Sequence, residues 1–349
     1  MLFSKALMRG LLVAAVVTSA VAAQALTIDL VPVGDAGNLP DTRYHSTGFG
    51  AVPRNYQIGK YEVTAGQYRD FLNAVAATDT YSLYNPSMDS DSWGCQITQH
   101  GTSGTYTYDF SGRPNGTESD WINRPVNYVS WGDAARFSNW LQNGQPTGQQ
   151  GTATTETGAY TLNGATSYSA LMAIIRNGTA TWFIPTEDEW YKAAYYDPAK
   201  PGGAGYWDYP TKSYVPPINT LLTPDPGNHA NFYDWYGTGN HGYTIGTPYY
   251  RTNVGEFENS ASAYGTFDQG GNVWEWHETN VNYGYRGFLG GSFYYYSGDL
   301  AASSGGIFGL PSVEGRYYGF RVASVPEPGS ITLLVSGAIA GLICWRRWR

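Results

Sequence analysis

Thiols are almost missing from this chain. Cys95 and Cys344 are the only cysteines in 349 residues, and Cys344 lies in an apolar stretch near the C-terminus. The rest of the chain holds one thiol, so neither an intramolecular disulfide framework nor a two-thiolate metal site can be built there. Cys95 by itself reads as a small buried or unpaired residue. Charge is scarce too: Asp, Glu, Lys and Arg make up 14% of the chain, against about 25% in an average soluble domain. With 20 Lys and Arg, no internal basic run and a net charge of −8, little is available to neutralise phosphates, which excludes nucleic acid as a natural partner. Histidine is sparse as well. His45, His100, His229, His241 and His277 form no His-x-x-His or His-x-x-x-His pair, so the helical zinc spacings are absent.

What is abundant is Gly (44), Tyr (30) and Trp (12), the composition of a loop-rich, extracytoplasmic body pinned by aromatic side chains. Length alone allows one large domain or two ordinary ones.

The two ends read as addresses rather than fold. Residues 1–25 carry Lys5 and Arg9, an apolar run from Leu11 to Val21, and small-x-small patterns ending at Ala22 and Ala25, the signature of a secretory signal peptide. At the other end, Pro326, Glu327 and Pro328 precede an apolar segment over 331–345 and then Arg346, Arg347 and Arg349. As a helix that segment would span about 22 Å, short of a ~30 Å hydrocarbon core, and its arginines would stay cytoplasmic. The tripartite tail over 325–349 resembles a PEP-CTERM sorting signal. The resemblance implies recognition by an exosortase-type protease in a Gram-negative, exopolysaccharide-producing bacterium, and a destination in the envelope, at the surface or in the extracellular matrix. An ordinary C-terminal anchor is the plainer reading. Either way membrane contact is through this tail.

The body over 26–324 contains three strand-to-capped-helix units. Tyr56 to Val63 alternates like a strand and runs into the capping box Thr64-x-x-Gln67. There Tyr68, Phe71, Leu72 and Val75 form one stripe of a helix over 65–76. Ser130-x-x-Asp133 opens a second helix, with Ala134, Phe137 and Leu141 on one face, and Thr186-x-x-Glu189 a third. This is a mixed α+β pattern. The stretches 78–123, 144–169 and 195–264 lack a sustained period and read as long loops. Arg286 to Phe293 reads as a core strand with a Gly-Gly bulge, and Tyr317 to Ala323 as the last strand.

Between them lies Thr266-Phe267-Asp268-Gln269-Gly270-Gly271-Asn272-Val273-Trp274-Glu275-Trp276. Two carboxylates separated by turn-forming glycines suit a hard cation, which takes carboxylate and carbonyl oxygens. A tight Gly-Gly-Asn turn with a buried Trp pair is the alternative.

Taken in order, Gly59-Lys60-Tyr61-Glu62-Val63-Thr64, Arg124-Pro125-Val126 with Ser130-Trp131, Pro185-Thr186-Glu187, Gly271-Asn272-Val273-Trp274-Glu275-Trp276, Gly290-Gly291-Ser292 and Gly319-Phe320-Arg321 resemble the formylglycine-generating enzyme (sulfatase-modifying factor) family over roughly residues 28–323. The resemblance implies a single compact domain of low regular secondary structure with a C-type-lectin-like fold. It implies structural calcium at Asp268 and Glu275 by side chain and Gly271 and Val273 by carbonyl. A second calcium would draw on Asn231, Phe232 and Tyr243, with His241 where an acid is usual and Asp234 as a substitute. Active members oxidise a sulfatase cysteine to formylglycine with Cu(I) on two thiolates. The corresponding positions here are Tyr295 and Leu300, neither of which can hold copper. Copper is therefore not expected, and no catalytic residue is assigned.

The expectation is a non-catalytic, calcium-stabilised exported protein whose aromatic groove, marked by Tyr294, Tyr295 and Tyr296, binds polysaccharide or an envelope protein. The alternative is an oxidoreductase of the same family using another metal or residue set.

Overall fold

The computed structural model describes residues 25–112, 117–235, 237, 239–281 and 284–325. The segments read as signal peptide and as sorting tail, including Pro326, Glu327, Pro328 and the apolar run 331–345, lie outside the described residues. Among those described, no helix is long and apolar enough to cross a membrane.

The chain opens with strands β1 (Leu30–Val33) and β2 (Tyr56–Gly59), then helix α1 (Ala65–Val75). A one-turn helix α2 (Ser87–Ser90), a ribbon of β3 (Thr98–His100) and β4 (Thr107–Asp109), and another single turn α3 (Glu118–Trp121) follow. Next come α4 (Trp131–Gln142), the short α5 (Tyr168–Met172), β5 (Trp182–Phe183) and α6 (Glu187–Tyr195). A second ribbon of β6 (Tyr196–Asp197) and β7 (Gly205–Tyr206) precedes a long irregular stretch. The body closes with β8 (Trp274–Val281), β9 (Tyr285–Leu289), β10 (Ile307–Gly309), β11 (Tyr318–Phe320) and β12 (Ala323–Ser324).

All three capping boxes form. The Thr64 hydroxyl accepts the Gln67 N–H at 3.2 Å while the Gln67 amide oxygen accepts the Thr64 N–H at 3.0 Å. Ser130 with Asp133 and Thr186 with Glu189 make the same reciprocal pair. Each satisfies two N–H groups that a helix start otherwise leaves open. Tyr68, Phe71, Leu72 and Val75 of α1 are all buried, as are Ala134, Phe137 and Leu141 of α4, and the Phe71 and Phe137 rings meet edge-on at 5.3 Å. The two helices thus close one core with β2, β12 and β5.

Two four-stranded sheets organise the body, in orders β1-β2-β12-β5 and β10-β9-β8-β11. The first is antiparallel throughout; in the second, β11 runs parallel to β8, setting Gly319 beside Glu275 and Phe320 beside Trp276. The expected last strand is in fact two. Residues 318–320 belong to the second sheet and 323–324 to the first, so the chain crosses between sheets at Arg321 and Val322. The expected strand over 56–63 stops at Gly59, whose N–H turns to the Val322 carbonyl at 2.7 Å. The strand expected over 286–293 stops at Leu289, because Gly290 and Gly291 both take positive φ (97° and 76°) and turn the chain instead of bulging it.

Gly271 illustrates how tightly this region is packed. Its φ is +96°, and a Cβ there would lie 2.1 Å from the Asn231 carbonyl oxygen. Gly271→Ala is expected to lower unfolding free energy by about 3 kcal/mol or more, whereas Gly298→Ala, facing open space, should stay within about 0.5 kcal/mol. Urea denaturation of the two variants checks this.

Candidate functional site

The Glu275 side chain, at the start of β8, is fully buried against Arg321, also fully buried. Arg321 Nε donates to Glu275 Oε2 at 2.5 Å and Nη2 to Oε1 at 2.6 Å, while Trp190 Nε1 donates to Oε2 at 2.6 Å. The remaining Arg321 donors reach the Gly59 carbonyl at 2.8 Å and the Phe267 carbonyl at 2.9 Å. Both carboxylate oxygens of the expected calcium ligand are thus already taken up by the guanidinium and an indole.

Two more carboxyl groups press on this pair. Asp268, held at φ 58°, accepts the Gly255 N–H at 2.6 Å. Burial, with the Glu275 charge adding to it, pushes its pKa up to about 7. Glu62, 2% exposed, was not singled out in the sequence, yet neither of its oxygens finds a donor from another residue. Burial and the negative charges of Asp268 and Glu275 push it well above the usual carboxylate range, with Arg321 opposing. One guanidinium therefore faces three carboxyls, and full ionisation would leave an excess of two negative charges. The orphaned oxygens of Glu62 are hard donors that suit a divalent cation. Glu62 lines a cavity of about 80 Å³ with Asp29 and Thr64, and Asp268 borders a separate void of about 10 Å³, about one water or ion in size. Among the described residues no three His, Cys, Asp or Glu side chains close into a ready-made metal cluster.

The residues of the second expected calcium site have other partners. The Asn231 amide donates to the Tyr250 carbonyl at 3.0 Å and to Asn272 Oδ1 at 2.8 Å. The Phe232 carbonyl accepts from Asn219 Nδ2 at 3.1 Å and from Thr244 Oγ1 at 3.3 Å. The same Asn219 amide donates to the Gly242 carbonyl at 2.8 Å. Asp234 takes the N–H groups of Gly237 and Gly239 at 2.9 and 2.6 Å, and its Oδ2 lies 3.4 Å from the His241 N–H. Only the Asn231 Oδ1 remains buried without a donor.

The positions corresponding to copper-binding cysteines carry no soft donor. Leu300 is buried with Tyr209, Ala230 and Phe232. Tyr295 packs edge-on against Trp274 at 5.2 Å and Tyr317 at 5.6 Å. Cys95 is buried, and burial pushes its thiol pKa up. His277 is buried and held neutral, its pKa pushed down to about 3 by burial and the Arg286 charge; His229 faces Asp225 at 3.2 Å.

The Tyr294-Tyr295-Tyr296 triplet does not present one surface. Tyr294 and Tyr296 line a cleft of about 150 Å³ with Tyr233, Trp235 and Tyr243; Tyr295 turns away into the packing just described. Trp93 lies beneath, its ring 5.2 Å from Tyr294, 5.3 Å from Tyr250 and 5.8 Å from Phe293. Its carbonyl accepts from Arg251 at 2.6 Å and Asn127 at 2.8 Å. Trp93, Tyr233 and Trp235 come from stretches that read only as loops. Their aromatic density was the available signal.

The structure is therefore a mixed α+β body of few helices, two small sheets locked across a buried Arg-carboxylate pair, with an aromatic cleft at the surface. The sulfatase-modifying factor enzyme 1-like domain matches residues 44–325, and the chain belongs to that family. Among solved structures it is similar to CarF, at 20% identity with 86% of this chain and 100% of that chain covered and a TM-score of 0.47. It is also similar to Treponema denticola variable protein 1, at 16% identity, 87% and 99% coverage and a TM-score of 0.44. PvdO from Pseudomonas aeruginosa matches at 16% identity, 80% and 82% coverage and a TM-score of 0.37. No curated protein matches the chain.

A testable consequence concerns pH. Folded Asp268 keeps its proton to about pH 7, whereas an unfolded Asp releases it near pH 4. Between those values the folded state binds more protons, so stability of metal-free protein should fall as pH rises from about 4 to about 7. Asp268→Asn should flatten this slope in a thermal-denaturation series; an unchanged slope would assign the pH dependence elsewhere.

Proposed function

We propose that this protein is an exported, non-catalytic member of the sulfatase-modifying factor family, stabilised by calcium, that binds polysaccharide through its aromatic cleft. The observation that carries the reading is a substitution of chemistry at one place. Where the resemblance puts two copper thiolates stand Tyr295 and Leu300, and the neighbouring Tyr294 and Tyr296 present rings to solvent beside Trp235. A phenol packed on Trp274 and a buried alkyl group cannot hold Cu(I), and lone Cys95 supplies neither a pair nor a low-pKa thiolate. Exposed Tyr and Trp rings offer large rigid contact area at low entropic cost, which suits the flat faces of sugars.

Calcium is supported by the hard-oxygen chemistry around Arg321. A divalent ion near Glu62 and Asp268 would neutralise the two surplus charges there and let both carboxyls ionise. The Gly271 and Val273 carbonyls complete the donor set, and Glu275 stays shared with Arg321. Export to the envelope, with sorting by an exosortase-type protease, follows from the two terminal segments. Family membership together with the few-helix mixed fold supports a C-type-lectin-like arrangement.

Three measurements test this. Added calcium should raise the melting temperature, and the gain should grow from pH 5 to pH 8, because protons compete for the same carboxyls. Equal gains with magnesium would show a non-specific ionic effect. In co-sedimentation with insoluble polysaccharide, Trp235→Ala should lose at least about fivefold in bound fraction. Phe308→Ala, at another exposed ring, should not. A sulfatase peptide co-expressed with the protein should keep its cysteine unmodified by mass spectrometry; conversion to formylglycine would overturn the non-catalytic reading.

A further inference from the structure

The cleft's walls specify its ligand more narrowly than polysaccharide in general. We infer that it takes a single pyranose unit free of anionic groups, gripped through its apolar face. This rests on the polysaccharide reading above.

The first argument is charge. Tyr233, Trp235, Tyr243, Tyr294 and Tyr296 line the cleft, and none carries a carboxylate, ammonium or guanidinium. The nearby cation, Arg316, lies over the Trp93 ring at 4.7 Å and is paired with Asp91 at 2.9 Å. The acids around the rim are negative but committed: Asp299 accepts the Tyr296 N–H at 3.1 Å, and Asp234 is buried on the Gly237 and Gly239 N–H groups. A uronate or sulfated unit would give up hydration here with no cation among the described cleft-lining residues to receive it, against a protein of net charge −8. An uncharged ring meets no such penalty.

The second argument is shape. Trp235 is 63% exposed, Tyr294 42% and Tyr296 41%, and the Trp235 and Tyr296 rings stand 6.1 Å apart at 57°. Behind them Tyr233 and Tyr243 meet edge-on at 4.8 Å, and Tyr294 stacks on Tyr317 at 5.0 Å. The inner rings are fixed by their neighbours, and the outer pair forms an open corner. A volume of about 150 Å³ is well under the ~300–1,000 Å³ of sites that enclose a small molecule. Such a corner covers one ring of a chain and leaves the rest in water. Affinity for one such unit is then weak, and durable attachment to a polymer would require sites that are physically linked.

The test is calorimetric titration of the calcium-loaded mature protein with soluble oligosaccharides at 0.15 M salt. Neutral β-1,4-glucan, β-1,3-glucan and α-mannan hexamers would be set beside a β-1,4-linked glucuronate hexamer. The expected result is millimolar binding of at least one neutral hexamer and at least tenfold weaker binding of the glucuronate one. Trp235→Ala and Tyr296→Ala should each weaken the neutral interaction about tenfold or more, in variants that circular dichroism shows to be folded. Equal or tighter binding of the glucuronate hexamer that is still lost in Trp235→Ala overturns the inference and leaves the polysaccharide reading standing. Neutral binding indifferent to both substitutions places the site elsewhere and overturns the inference. No binding to any hexamer by folded wild-type protein overturns the polysaccharide reading itself.

Discussion

The buried pairing of Arg321 with Glu275 is the constraint on which the rest of the structure depends. Arg321 sits where the chain leaves the second sheet for the first, and four of its N–H donors are distributed over both. Two go to Glu275 in β8, one to the Gly59 carbonyl at the end of β2, and one to the Phe267 carbonyl in the loop before β8. Lysine could not reproduce this fork. Burying the pair is costly in itself, and its geometry is what makes the arrangement viable: the guanidinium's bonds to Glu275, Gly59 and Phe267 are short and charge-assisted. With sheets of two- to eight-residue strands, so little regular backbone bonding is available that a single side chain spanning both sheets has unusual structural weight.

The pair also sets the electrostatics of the loop around it. Glu62 and Asp268 are drawn toward the same cation, and one guanidinium cannot balance three carboxyls. Keeping protons on Glu62 and Asp268 relieves this excess and ties stability to pH; under the calcium proposal a divalent ion relieves it through the same residues. The cleft, in contrast, depends on packing. Trp93, clamped by Arg251 and Asn127, forms a floor on which Tyr250, Phe293, Tyr294 and Tyr317 rest. The rings exposed above it inherit their positions from that floor. A loop-rich chain can thus present a rigid surface without regular secondary structure.

What was legible in the sequence was local. The capping boxes at Thr64, Ser130 and Thr186 and the apolar stripe of α1 involve residues three or four apart, and each appears where the pattern places it. The family-specific motifs located Glu275 and Arg321 but not their contact, because it joins residues 46 apart. Glu62 was hidden for the same reason: an acid in a strand-like run looks solvated until the fold places Asp268 and Glu275 beside it. Tyr294-Tyr295-Tyr296 read as one surface, yet in a turn of no fixed period neighbouring side chains diverge, and Tyr295 faces the core. Asn219 likewise gave no signal. Its amide donates to the Phe232 and Gly242 carbonyls, an arrangement that competes with a cation for those oxygens.

The account stands most directly on a double-mutant cycle at the central pair, measured by urea denaturation of Glu275→Gln, Arg321→Met and the double variant. If the pair locks the sheets, each single change leaves a buried group uncompensated and costs about 3–5 kcal/mol. The double variant should then lose little more than either single one, a strongly non-additive result. Small, additive losses would contradict the account and assign the cohesion of the two sheets to their aromatic packing.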